Sequence, residues 1–114
     1  MIAVIFEVWP NAARRQDYFD LAAGLKSELE RIDGFISVER FVSLADDSKI
    51  LSLSFWRDEA AVARWRRHEE HRDAQRAGRS GIFQNYRLRV AAVVRDYGME
   101  QRAEAPQPPP ETMR

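Results

Sequence analysis

The sequence predicts a single α+β domain in which strands and helices follow the order β-α-β-β-α-β. Two segments show helical periodicity, and four runs are rich in β-branched and aromatic residues. Turn residues separate most of these segments. With 114 residues, 45% of them hydrophobic, the chain is long enough for one domain with a hydrophobic core.

Four strands are predicted from β-branched and aromatic content and from alternation of apolar and polar side chains. The first strand is apolar on both faces at its start and is stopped by Pro10-Asn11. The second and third form a hairpin around Ala45-Asp46-Asp47-Ser48. The predicted strands cover residues 2–9, 35–44, 49–56 and 87–97, with an irregular turn over 82–86.

Two helices are predicted between the strands. The first covers residues 12–32 and ends at Asp33-Gly34, because glycine accepts the left-handed conformation at a helix end. The second begins after Asp58, a good N-cap residue, and continues to about Ala77. One apolar stripe on the first helix predicts its core-facing side: Tyr18, Leu21, Ala22, Leu25, Leu29 and Ile32.

This order is that of ferredoxin-like folds, whose antiparallel sheet has both helices on one face. The other face would be bare and would carry large apolar residues from the first three strands. Contiguous apolar patches are uncommon on small monomers. The sequence therefore predicts a homodimer in which two sheets pack face to face.

Composition excludes several function classes. Lys plus Arg equals Asp plus Glu at 18 each, so no nucleic-acid or anionic-membrane partner is expected. There is no cysteine, which excludes thiolate chemistry. No signal peptide and no apolar run of about 20 residues is found, so we expect a cytoplasmic protein. The folded domain is predicted over 1–97, followed by a Pro-rich, disordered tail over 98–114.

Motifs for nucleotide or covalent chemistry are absent from the sequence. There is no Gly-rich phosphate loop and no dinucleotide fingerprint. There is also no Gly-x-Ser-x-Gly nucleophile elbow. An enzyme with this sequence would work without a nucleotide cofactor and without a covalent protein nucleophile.

The second helix carries the candidate catalytic residues. If Trp65 marks the centre of its buried stripe, four polar side chains lie on one flank, between about −60° and −120° at 100° per residue. These residues are Arg64, His68, His71 and Gln75. An imidazole suits proton transfer near neutral pH, which favours His71 and then His68. The alternative is that both are partly exposed helix residues, and too few further ligands accompany them to predict a metal site.

Aromatic side chains are candidates for the wall of a substrate pocket. Phe6, Phe55 and Trp65 could hold a planar apolar ligand, although such residues more often form a core or a dimer interface. Glu7 interrupts the first strand. It is either a cavity carboxylate with a raised pKa or a carboxylate paired with arginine.

Several segments together resemble one protein family. They are the first strand with Pro10, Ile32-Asp33-Gly34-Phe35, Leu53 to Ala60, Trp65 with His71, and the closing run Arg89 to Val94. Over about residues 1–97 the chain resembles the antibiotic biosynthesis monooxygenase domain. The resemblance implies a dimeric α+β barrel built from two ferredoxin-like subunits.

The resemblance also implies chemistry. One branch of the family oxidises small aromatic or quinol-like compounds with O2 and without a cofactor, and there His71, with His68 as backup, would handle the proton. Phe6, Phe55, Trp65, Arg64 and Gln75 would contact the substrate. A second branch degrades haem with an Asn on the first strand and a late-helix His, where this sequence has Val4 and Gln75. A non-catalytic ligand-binding or stress-response module is a third reading.

Overall fold

The structure, a computed structural model, describes residues 1–75 and 81–107, and of residues 70–75 only the backbone. Its order of elements confirms the predicted β-α-β-β-α-β pattern. A short 3-10 turn, Ala12–Arg14, precedes the first helix. The elements are β1 (Ile2–Pro10), α1 (Arg15–Glu30), β2 (Phe35–Val42), β3 (Ile50–Trp56), α2 (Glu59–Gln75) and β4 (Phe83–Ala92).

The four strands form one antiparallel sheet in the order β2-β3-β1-β4. Residues paired across an antiparallel sheet point to the same side. Val4 pairs with Ser54 on β3 and with Val90 on β4, and Ser54 pairs with Val38 on β2. Even-numbered residues therefore face the helices along most of each strand, and odd-numbered residues face the opposite side. Bulges in β2 and β4 reverse this pattern at Phe35 and Phe83, which also lie on the helix side.

The core lies between the helices and the even-numbered face. One buried cluster joins the two helices to the sheet through Leu29, Trp56, Ala61, Val62 and Trp65. A second cluster lies under the start of α1 and contains Val8, Tyr18, Ile50 and Ile82. The apolar stripe predicted on α1 is thus confirmed as its core-facing side.

The loop before β2 is fixed to the beginning of α2. The backbone N–H of Arg57 donates to the carbonyl of Gly34 at 2.7 Å. The Arg57 guanidinium also binds both oxygens of Asp33, at 3.2 and 3.1 Å, and holds the pKa of that carboxyl below its usual range. As predicted, Asp58 caps the helix, since its Oδ1 accepts from the Ala61 N–H at 2.9 Å.

The last strand differs from its prediction. It begins at Phe83 and ends at Ala92, so the turn predicted over 82–86 and the strand end at 97 are wrong. Phe83 pairs with Pro10 across a bulge at Gln84 of β4 and packs edge-on against Phe6, with ring centroids 5.9 Å apart. The polar Gln84-Asn85 pair hid this strand, because it interrupts the apolar alternation.

Neither of the described helices lies over the odd-numbered face. Ile5, Leu53 and Phe55 are half-buried there. Glu7 lies on the same face and forms ion pairs with Lys49 and Arg89, which lower the pKa of its carboxyl. The pairing of Glu7 with arginine is confirmed, and a cavity carboxylate with a raised pKa is not what the structure shows.

Just beyond β4 the Val93 N–H donates to the Met1 carbonyl at 3.0 Å, and the described residues that follow show local contacts. The Gly98 N–H donates to the Gln101 carbonyl at 2.8 Å, and Arg102 lies over the Tyr97 ring. Residues 108–114 are outside the described range, so disorder of the tail stays a prediction. None of the described helices is long and apolar enough to cross a membrane.

We predict that Gly34→Ala destabilises the fold. Gly34 has φ +94°, and a Cβ there would lie 2.6 Å from the Cβ of Ala61. Backbone strain and overpacking would each cost about 1–3 kcal/mol. Urea unfolding at a fixed protein concentration measures the change in free energy.

Gly24→Ala is the matched control. Gly24 lies on the exposed side of α1, and a Cβ there meets no atom within 4 Å. This variant should gain up to about 1 kcal/mol, the helix-propensity difference between the two residues. Equal effects at the two positions would refute the close approach of the loop to α2.

Candidate functional site

A cavity of about 460 Å³ lies between the even-numbered face of the sheet and the two helices. Its walls are mainly apolar and come from all four strands and both helices. Val4, Phe6, Val38 and Leu88 form part of the sheet side, and Leu21 and Leu25 form part of the helix side. The volume is within the range of small-molecule sites, about 300–1,000 Å³.

The cavity exists because β3 has small residues where large ones would fill the space. Along its helix-facing side β3 reads Ile50, Ser52, Ser54 and Trp56. Both serines line the cavity, while the bulky residues at the two ends are buried in the core clusters. The Ser54 hydroxyl accepts a hydrogen bond from Trp56 Nε1 at 2.9 Å, which satisfies the buried indole.

A few polar side chains other than the serines also face the cavity: Tyr18, Arg40, Arg66 and Glu69. Burial raises the pKa of the Tyr18 phenol, and the nearby Arg40 guanidinium opposes that rise. The phenol is therefore protonated near neutral pH and can donate a hydrogen bond. Arg66 is exposed, whereas Arg40 is half-buried.

The structure brings some of the candidate site residues to this cavity and leaves others away from it. Phe6 and Trp65 are in its wall. Phe55 lies on the other face of the sheet, away from the cavity, where its cross-strand neighbours are Ala3 and Ser37. Arg64 donates to the Asp33 carbonyl at 3.2 Å and so helps to anchor α2.

The two candidate histidines are also on α2. His68 stacks on Trp65 with ring centroids 5.4 Å apart, and its Nε2 is buried without a hydrogen-bond partner. It is not among the residues that line the cavity. The side chains of His71 and Gln75 lie outside the described residues, so their roles stay predictions.

The cavity lies on the other flank of α2 from Arg64 and His68, the two residues of the predicted polar ridge whose side chains the structure describes. Val62, Glu69 and Arg66 lie at about +60°, +40° and +100° from Trp65, at 100° per residue. All three line the cavity. The sequence analysis did not select Tyr18, Arg40, Arg66 or Glu69. Arg40 was detectable, because it takes the inward position in the alternation of β2 between Val38 and Val42.

The described side chains that line the cavity do not provide the usual ligand set of haem iron or of a bound metal ion. No group of three His, Cys, Asp or Glu side chains that could hold a metal is found in the described part of the chain. The described lining contains no His, Cys or Met, and Val4 in its wall offers no amide. Tyr18 is a poor axial ligand, since burial keeps its phenol protonated.

Comparison with known proteins identifies relatives in sequence and in fold. Over 93 residues the chain is 47% identical to a protein of Pyricularia oryzae named jasmonate monooxygenase ABM. The aligned segment covers 82% of this chain and 43% of that protein. The chain spans about half the length of the curated relatives it matches.

Two solved structures share the fold at low sequence identity. SnoaB of Streptomyces nogalater, described as a cofactor-independent oxygenase, is 14% identical with a TM-score of 0.66, over 83% of this chain and 94% of that one. The haem degrader MhuD of Mycobacterium tuberculosis is 17% identical with a TM-score of 0.67, over 86% of this chain and 100% of that one.

The family itself is shown by the sequence. The family model described as antibiotic biosynthesis monooxygenase matches residues 1–77, which contain β1 to β3 and both helices. The chain belongs to the antibiotic biosynthesis monooxygenase family, with the ferredoxin-like α+β fold of its structural relatives.

Proposed function

We propose that this protein is a monooxygenase that binds a small, mostly apolar molecule and O2 in the cavity between its sheet and helices. The observation that carries the proposal is the cavity itself. Its walls are apolar, it has few polar groups, and it lies within a domain of the monooxygenase family. A cytoplasmic location stays a prediction.

The proposed substrate is a small aromatic or quinol-like compound that supplies the electrons. Loss of a proton from an activated CH2 group gives an electron-rich anion, which reacts with O2. One oxygen atom stays on the substrate as C=O and the other leaves as water, so the CH2 is oxidised and O2 is reduced. This route balances without a cofactor.

A jasmonate-like substrate is a second candidate, favoured by the 47% identical relative named for that compound. Hydroxylation of an unactivated C–H bond needs two further electrons and two protons. An external reductant such as ascorbate would have to supply them. The two candidate substrates therefore differ in their requirement for a reductant.

Oxygen uptake tests the proposal. Purified, metal-free protein is incubated with anthrones, quinols and jasmonic acid, with and without ascorbate, in an oxygen electrode. One O2 consumed per product, with one atom of labelled oxygen in the product, is the expected result. Ligand binding without oxygen uptake across the panel would favour a non-catalytic binding module.

We predict that His71→Ala abolishes activity and leaves thermal stability nearly unchanged, because we assign proton transfer to this imidazole. His68→Ala is the comparison, since the ring of His68 stacks on buried Trp65. It should lower stability as well as activity. Full oxygen uptake by the His71 variant would refute the assignment.

Hemin titration followed by absorption spectroscopy separates the cofactor-free oxygenase from a haem enzyme. We expect no saturable Soret band, because the described lining contains no His, Cys or Met that could act as an axial ligand. Saturable binding of hemin, lost in His71→Ala or His68→Ala, would instead support haem as the cofactor.

We propose further that the protein is a homodimer, which rests on the bare face of the sheet. Ile5, Leu53 and Phe55 remain half-buried on that face in the single chain. Two such faces packed together would bury them in one interface. A dimeric α+β barrel is the assembly that this contact would form.

We predict that Leu53→Lys gives a monomer in analytical ultracentrifugation. Leu53 is opposite Ile5 on β1 and Glu39 on β2. A lysine at this position can pair with the Glu39 carboxylate within one subunit, but it places a charge in the apolar contact between two subunits. Leu44→Lys is the control, since Leu44 is fully exposed in the hairpin loop. An unchanged mass for the Leu53 variant would contradict the proposed interface.

A further inference from the structure

Arg40 in the cavity has a neutral partner, the Tyr18 phenol, but no anionic partner among the described side chains. The Nε atom of Arg40 is buried and has no hydrogen-bond partner. No ion pair links its guanidinium to a carboxylate among the side chains that the structure describes. Five of the arginines and lysines described elsewhere do form such pairs: Arg14, Lys49, Arg57, Arg64 and Arg89.

A guanidinium in a partly desolvated, apolar site is unfavourable unless an anion accepts its hydrogen bonds. Its planar, fork-shaped donors match the two oxygens of a carboxylate. The Tyr18 phenol is neutral and does not balance the charge of Arg40. The arrangement is therefore suited to a bound anion.

Two neutral donors lie beside Arg40. Ser52 is its cross-strand partner on β3 and lines the cavity. Tyr18 on α1 is close enough that the Arg40 guanidinium opposes the rise of its phenol pKa. Both hydroxyls can donate to the same anion, so charge and hydrogen-bond donors converge at one end of the cavity.

The rest of the same row across the sheet is apolar. Ser52 pairs with Phe6 on β1, and Phe6 pairs with Leu88 on β4. The row from Arg40 to Leu88 covers three strand spacings of about 4.8 Å, which is roughly 14 Å. Such a site accommodates an anionic end beside β2 and an apolar body of one or two rings toward β4.

We propose that Arg40 binds the carboxylate of the substrate and selects small monocarboxylic acids with an apolar ring body. The assignment rests on the proposed function only in taking this cavity as the substrate site. Arg66 is the other cation in the lining, but it is exposed, so water competes for its donors. Arg40 is therefore the residue that distinguishes an acid from a neutral analogue.

Isothermal titration with two nearly isosteric probes tests the assignment. They are 1-naphthylacetate and its neutral amide, 1-naphthylacetamide. Wild-type protein should bind the acid roughly 10- to 100-fold more tightly than the amide, the range expected for hydrogen bonds to a charged group. Arg40→Leu should lower the affinity for the acid to that for the amide and leave the amide affinity unchanged.

Two further variants guard against a folding artefact. Arg40→Lys keeps the positive charge but loses the planar, fork-shaped donors of the guanidinium, so it should retain part of the preference for the acid over the amide. Arg66→Leu, the matched control in the same lining, should retain all of it. Near-UV circular dichroism of each variant establishes that it is folded.

Three results would overturn the assignment: equal binding of acid and amide by the wild type, no binding of either, or a preference that depends on Arg66 instead of Arg40. Titration needs no turnover, so the outcome is distinguishable from failure of the proposed function. Acid preference without oxygen uptake would retain the carboxylate site and reject the enzyme. Oxygen uptake with equal binding of acid and amide would retain the enzyme and reject the carboxylate site.

Discussion

The position of α2 over the sheet depends on the close approach of Gly34 to Ala61. A glycine with positive φ lets the chain leave α1 and pass directly against the second helix. The ion pair of Arg57 with Asp33 and the Arg64 contact with the Asp33 carbonyl fix the same junction. These groups are exposed, so they contribute little free energy individually, and the packing at Gly34 is the stronger constraint. With α2 held there, Trp65 is both part of the core and a wall of the cavity.

The cavity is a consequence of side-chain size along β3. Between buried Ile50 and Trp56 the strand presents only two serines to the helices, and the remaining space is left open. Large residues at both ends keep the sheet and helices packed, so the opening does not collapse. The same alternation places Ile5 and Leu53 on the opposite side, where neither α1 nor α2 covers them. We therefore propose different roles for the two faces of the sheet, substrate binding on one and subunit contact on the other.

Much of the fold follows from the sequence because its signals are local and strong. The stripe on α1, the Asp58 cap and the Gly34 turn each depend on a few neighbouring residues, and all were predicted correctly. The start of β4 was missed, since Phe83 gains its place from long-range contact with Phe6 and Pro10. The site was harder to predict. Helical angles around Trp65 indicate that one flank of α2 faces a cavity, but they do not indicate which of the two flanks. The structure places Arg66 and Glu69 on the cavity side.

A crystal structure of the protein with bound 1-naphthylacetate tests the central claim most directly, because it locates the ligand without relying on a variant. We expect the carboxylate within hydrogen-bond distance of Arg40, between the Ser52 and Tyr18 hydroxyls, with the rings against Phe6. Electron density for the ligand on the His68 flank of α2, or on the odd-numbered face of the sheet, would contradict the account.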